Sequence, residues 1–122
     1  MANTITLTNG NYSETGTILD DIIWSLDGDD TVSGGIGSDT IHGGNGSDEL
    51  WGGSGNDTIA DFQDNRDTID VSETLTTFAA RKAYVDSHAT VVGGNTIVTD
   101  DVSTSVTILG LTNITQLYDD IM

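Results

Sequence analysis

Residues 34–60, GGIGSDTIHGGNGSDELWGGSGNDTIA, are one nine-residue unit written three times. With Gly34 as position 1, the frames 34–42, 43–51 and 52–60 each carry Gly at 1, 2 and 4, Asp at 6 and an apolar residue at 8. A fixed short period of this kind is the sequence mark of a solenoid, in which each unit buries its apolar face only by stacking on its neighbours. Upstream the frame decays. SLDGDDTVS (25–33) keeps Gly28, Asp30 and Val32, and GTILDDIIW (16–24) keeps Gly16, Asp21 and Ile23. Residues 1–15 read as a cap, with Ile5 and Leu7 on one side of a short strand and Glu14 at an apolar position. Downstream, DFQDNRDTID restores the pattern if one residue is inserted, which puts Asp67 at position 6 and Ile69 at position 8.

Each unit divides into a six-residue turn and a three-residue strand. Side chains alternate along a strand, so Ile23, Val32, Ile41, Leu50 and Ile59 point inward while positions 7 and 9 point out. The outer positions are mostly Thr, Ser, His and Trp, which gives the strands one wet face. Trp24 and His42 both occupy position 9, two units apart, and are expected to be neighbours on that face; Trp51 falls on the other.

One large apolar residue per unit is a small core, and only 35% of the chain is hydrophobic. There is no Cys, so no disulfide can add to it. Metal is the remaining staple for a small scaffold. The charge points the same way: 20 acids against 3 bases give a net charge of −17, and 17 of the acids are Asp. Such a field attracts cations and repels nucleic acid and anionic membrane. No apolar run approaches the length of a membrane span, and the start MANTITLTNG has neither the basic nor the apolar region of a cleaved Sec signal.

The turn chemistry says which metal. Glycine serves where backbone must reach φ > 0 or approach something closely, and the aspartate beside it supplies hard carboxylate oxygen. Oxygen-only ligands in a flexible turn suit Ca²⁺, whereas Zn²⁺ calls for Cys or His. His42 and His88 are too scattered for a zinc site. No nucleophile, acid and base set stands out, so the chain reads as non-enzymatic.

GGIGSDTIH, GGNGSDELW and GGSGNDTIA resemble the nonapeptide G-G-x-G-x-D-x-U-x, with U apolar, of the RTX proteins. IADFQDNRDTIDVS (59–72) is similar to the segment that follows the repeats in RTX exoproteins, and residues 90–122 are similar to their C-terminal hairpin and tail. The resemblance implies an all-β fold, a parallel β-roll in which one coil takes two repeats and strands pair two repeats apart. It implies Ca²⁺ between turns two repeats apart, held by position-6 carboxylates and by main-chain oxygen at Gly34, Ile36, Gly43, Asn45, Gly52 and Ser54. Carried over, Asp39 pairs with Asp57 on one edge and Asp30 with Asp48 on the other. Asp21 with Asp39 forms a weaker site, since GTILDD lacks two of the glycines, and Asp48 with Asp61, Asp64 or Asp67 closes the last. About four to six ions are expected. The resemblance also implies a secreted bacterial protein, exported by type I secretion machinery that reads an uncleaved C-terminal tail such as LTNITQLYDDIM.

Beyond the repeats, Leu75, Phe78 and Ala79 at helical spacing, with Ser72 as N-cap, predict a short helix to about Asp86 that covers the open end of the roll. Alternating β-branched and polar residues around GGN (93–95) predict two or three antiparallel strands that extend the roll. The chain is thus read as a single domain of three parts: a cap strand (1–15), calcium-binding repeats (16–70) and a helix, hairpin and export tail (71–122). Calcium-dependent folding after export is the leading functional expectation. A secreted module that binds carbohydrate or a surface, such as an extracellular glycan or a fused exoprotein, is the alternative, although the charge argues against an anionic glycan.

Overall fold

The nine-residue period becomes a coil of two units. Ile5, Ile23, Ile41 and Ile59 are successive partners across one parallel sheet, while Glu14, Val32, Leu50 and Ile69 are partners across a second. The computed structural model describes residues 2–63, 66–70, 78–99 and 104–117. Strands β1 (Asn3–Thr6), β3 (Asp21–Trp24), β5 (Thr40–His42) and β7 (Asn56–Ile59) stack as one face of the roll. Strands β2 (Ser13–Thr15), β4 (Thr31–Ile36), β6 (Glu49–Ser54) and β8 (Thr68–Asp70) form the other.

Between the sheets lies a single file of side chains. Ile23, Val32, Ile41, Leu50, Ile59 and Ile69 are all fully buried, each contributing about 1.5–3 kcal/mol by leaving water. These are the position-8 residues, as the alternation required. The inserted residue in the last unit is absorbed between the strands: the register passes from Leu50 to Ile69 without turning the apolar residue outward. Residues 1–15 were read as a cap, and the cap is itself a coil, since β1 and β2 both join the ladders. Glu14 there stands opposite Val32 and is half-buried.

Stacking coils this closely leaves no room for a side chain at the turn glycines. Gly44 has φ +87°, and a Cβ there would run into the carbonyl oxygen of Leu26, one coil below. Leu26 occupies the same turn position one coil earlier and adopts φ +75°, an uncommon conformation for a residue other than glycine.

After the roll come helix α1 (Phe78–His88), strands β9 (Ala89–Val92), β10 (Asn95–Thr99) and β11 (Ser105–Ile108), and a 3-10 turn (Ile114–Leu117). The helix runs two residues beyond the predicted end, and its expected start at Ser72 and Leu75 lies outside the described residues. Gly93 and Gly94, at φ +60° and +83°, make the β9–β10 turn, a geometry that suits the twist of an antiparallel pair. Strand β10 is antiparallel to both β9 and β11, yet β11 joins β7 in parallel, so the hairpin prolongs the first sheet. The end of that sheet is thus closed by a strand, while the helix packs on β9, β10 and the 3-10 turn. Val85, Val98, Ile108, Leu111 and Leu117 continue the core of the roll into this region.

Candidate metal centre

The position-6 aspartates stand where the chain leaves a turn for a strand, and the coils stack Asp21, Asp39 and Asp57 on one edge and Asp30, Asp48 and Asp67 on the other. From Asp30 onward, one oxygen of each carboxylate is used by this stacking. Asp39 Oδ1 accepts the Asp21 N–H at 2.8 Å, and Asp57 Oδ1 accepts the Asp39 N–H at 2.9 Å. On the opposite edge Asp30 Oδ1 accepts from Tyr12, Asp48 Oδ1 from Asp30 and Asp67 Oδ1 from Asp48, at 2.8, 2.9 and 3.1 Å. The expected pairs Asp39 with Asp57 and Asp30 with Asp48 are therefore adjacent, and Asp67 is the residue that follows Asp48 in the ladder.

The second oxygen is the informative one. Asp30, Asp39, Asp48 and Asp57 each hold Oδ2 buried with no hydrogen-bond partner, and Asp21 holds Oδ1 in the same state. All five side chains are about 1% exposed. A carboxylate oxygen withdrawn from water without a partner is costly, and the carboxyls respond: burial pushes Asp48 and Asp57 up to about 6 and raises Asp39 as well. Space has been left beside these oxygens. A Cβ added at Gly43 would lie 2.7 Å from Asp48 Oδ2, and one at Gly52 would lie 2.5 Å from Asp57 Oδ2. Hard anionic oxygens, unpartnered and cradled by glycine, fit a Ca²⁺ ion.

Among the described residues, no group of three or more His, Cys, Asp or Glu side chains could hold a metal ion. Main-chain oxygen is the further donor type expected, at Gly34, Ile36, Gly43, Asn45, Gly52 and Ser54. These residues line the same turns. The carbonyls of Asn45 and Ser54 each accept one backbone N–H, from Gly28 and Gly37, both at 2.9 Å, and a carbonyl retains a second lone pair.

The two ends of the ladder differ from its middle. Asp21 Oδ2 accepts from the N–H and Oγ1 of Thr17, at 2.6 and 2.9 Å, and the Thr17 backbone bond holds its carboxyl below the ordinary range. Asp67 Oδ2 accepts the Gln63 N–H at 2.9 Å, so both of its oxygens are used. Asp61 takes no place in the ladder; its two oxygens accept the N–H groups of Gly43 and Gly44 at 2.8 and 2.9 Å. Asp64 lies outside the described residues.

Three contributors were missed from sequence. Thr17 and Gln63 satisfy end carboxylates, and a second ladder runs along position 5: Asn11 Oδ1 accepts from Asp29, Asp29 Oδ1 from Ser47, and Asp20 Oδ1 from Ser38. The recurrence of Asn, Asp and Ser immediately before the position-6 aspartate is the signal that could have revealed the second ladder. The expected aromatic neighbours do meet. Trp24 and His42 stack at 3.5 Å between ring centroids and 7° between planes. Trp51 lies on the other sheet, between Ser33 and Asp70 in register.

A parallel solenoid whose turns present paired, unpartnered carboxylate oxygens between glycines is a calcium-binding β-roll. The RTX calcium-binding nonapeptide repeat matches residues 15–41 and 24–59 in four copies. Residues 15–59 thus carry repeats of the RTX type, a calcium-binding repeat typical of secreted bacterial proteins. A solved relative in shape is the solution structure of the AlgE6R3 subunit from the Azotobacter vinelandii mannuronan C5-epimerase. It is 22% identical, with 93% of this chain and 78% of that one covered and a TM-score of 0.41. No curated protein matches the chain. Among the described residues, no helix is long and apolar enough to cross a membrane.

Proposed function

We propose that the chain is a calcium-switched folding module of a secreted bacterial protein, exported by type I secretion and ordered by Ca²⁺ outside the cell. The observation that carries this reading is the set of five buried, unpartnered carboxylate oxygens on Asp21, Asp30, Asp39, Asp48 and Asp57. Folding without a cation brings these charges together in a dry interior. The side chains of one edge stand one coil apart, so each raises the cost of its neighbour.

Bound Ca²⁺ supplies the missing positive partner and accepts oxygen ligands from both protein and water. Asp30, Asp39, Asp48 and Asp57 would hold it, with Asp21 at the weaker end. The glycines keep the space clear, and the position-8 residues set the stacking that aligns the turns. Extracellular modules bind Ca²⁺ at about 10⁻⁴ to 10⁻³ M. In that range the repeats stay unfolded where calcium is scarce and order where it is abundant. The reading is non-catalytic, because the ladder already employs the carboxylates that an acid–base pair would need.

Far-UV circular dichroism during a Ca²⁺ titration, with Mg²⁺ as control, tests it. A cooperative gain of strand at sub-millimolar to millimolar Ca²⁺ is expected. Full strand signal in excess chelator would overturn the switch.

A second reading, a module that binds carbohydrate or a surface, is favoured by one feature. The stacked Trp24–His42 pair sits on the outer face of the first sheet with Trp24 40% exposed, a flat aromatic surface of the type that accepts sugar rings. Retention on a glycan array, lost in Trp24→Ala with the roll intact, would support it.

A further inference from the structure

Among the five turns between residues 16 and 57, one does not follow the rule for position 1. The turns beginning at 16, 34, 43 and 52 start with glycine, and the turn 25–30 starts with Ser25. In each glycine turn the Cβ direction at position 1 points at Oδ2 of the aspartate of the same unit. The separations would be 2.8 Å at Gly16 and Asp21, 2.7 Å at Gly43 and Asp48, and 2.5 Å at Gly52 and Asp57, and Gly34 stands likewise against Asp39. At Ser25 the equivalent position carries a hydroxymethyl side chain in the same turn as Asp30.

The hydroxyl there is in an unusual state. Ser25 is fully buried, and its Oγ has no hydrogen-bond partner, although Asp30 Oδ2 in the same turn is also buried and unpartnered. A hydroxyl beside a carboxylate ordinarily donates to it, as Thr17 Oγ1 does to Asp21 at 2.9 Å. Two orphan oxygens enclosed in one turn, left unjoined, are what a shared cation resolves, since both then act as ligands. The neighbouring backbone is held out of its ordinary region to keep this turn in the stack: Leu26 takes φ +75°, and its carbonyl accepts the Asn45 N–H at 2.8 Å.

We infer that Ser25 Oγ is a calcium ligand, adding a side-chain hydroxyl to the ion held at Asp30, so that the turn 25–30 forms a site chemically distinct from the glycine turns. The inference rests on the calcium-binding reading above. Its consequence is an ion with one fewer coordinated water at this turn than at the others.

Terbium(III) as a luminescent stand-in for calcium tests it, because each tryptophan immediately precedes one turn. Excited selectively, Trp24 reports on an ion at 25–30 in a Trp51→Phe background, and Trp51 reports on 52–57 in a Trp24→Phe background. Luminescence lifetimes in H₂O and D₂O count the bound waters. Ser25→Ala is expected to add one water and to weaken terbium binding about three- to tenfold at the Trp24-reported site, with the Trp51-reported site unchanged. Ser25→Gly, which installs the residue the other turns tolerate, guards against a folding defect and is expected to gain the same water. If both variants keep the wild-type water count and affinity at the Trp24-reported site, this inference alone is overturned. If the wild-type chain takes up no terbium, the calcium reading falls and the inference with it.

Discussion

The end turns and the middle turns of the roll are written in the same nine-residue unit, yet they solve the burial of a carboxylate differently. At the first turn Thr17 donates twice to Asp21, and at the last the Gln63 amide donates to Asp67. Asp39, Asp48 and Asp57 have no such donor for Oδ2, and their carboxyls rise while that of Asp21 falls. At Asp21 and Asp67 protein groups satisfy Oδ2, whereas at Asp39, Asp48 and Asp57 that oxygen is left to a cation. The arrangement makes physical sense: a hydrogen bond from the chain settles an end turn without help, whereas a row of interior carboxylates needs positive charge as well as donors.

The largest expected effect comes from closing the space between coils. Gly44→Ala puts a Cβ against the Leu26 carbonyl at a φ of +87°, and about 3 kcal/mol or more of destabilisation follows. Thermal unfolding in saturating Ca²⁺ should show it, because calcium relieves neither the φ strain nor the clash.

Next comes Asp48→Asn, which keeps the acceptor for the Asp30 N–H and removes the charge. The comparison predicts opposite signs in two buffers. In excess chelator the variant should retain more strand by far-UV circular dichroism than wild type, its folding favoured by about 1–3 kcal/mol through loss of a buried unpartnered charge. In millimolar Ca²⁺ it should be less stable, with its titration midpoint moved to higher calcium. Destabilisation in both buffers would show that the carboxylate is already satisfied without an ion.

The pH dependence sharpens the same contrast. The folded-state carboxyls of Asp48 and Asp57 lie at about 6, above the unfolded value of about 3.9, so the ion-free roll binds those protons more tightly than the unfolded chain. In chelator, its stability should rise as pH falls from 7 through 6 and level off near 4. Calcium binding should weaken over that same window. Asp21 is the reverse case: its lowered carboxyl contributes stability at all pH above the unfolded value, lost only as pH falls through the lower folded value. Far-UV circular dichroism in chelator and melting curves in calcium, each followed between pH 7 and 4.5, check both.

The smallest effect tests the end of the ladder. Thr17→Val removes the Oγ1 donor to Asp21 and keeps the backbone one. About 1 kcal/mol should be lost, at limiting calcium more than at saturating calcium, because a carboxylate with one donor fewer leans more on the ion. Denaturant unfolding at limiting and at saturating calcium measures the difference.

Much of this was legible because the fold is periodic. Gly34, Gly43 and Gly52 mark the turns, position 8 marks the inside, and the repetition of both predicts which residues meet one coil away. Ile23 with Ile41, Asp39 with Asp57, and Trp24 with His42 all follow from that translation. What the period could not specify lies where it fails. Asp61, Asp64 and Asp67 were equal candidates on sequence, and only the fold separates the ladder residue Asp67 from Asp61, which clamps the Gly43 and Gly44 amides. Likewise the hairpin was readable around GGN, but not its parallel docking of β11 on β7.

The sequence by itself determined the roll, its inward residues and the oxygen chemistry of its turns, because a translational repeat makes every local choice recur one coil away. Only the tertiary structure decided which oxygen of each carboxylate is free, which end groups substitute for a cation, and why Ser25 is unlike its counterparts. Those outcomes depend on donors brought from outside the repeating pattern, and on the burial that stacking imposes.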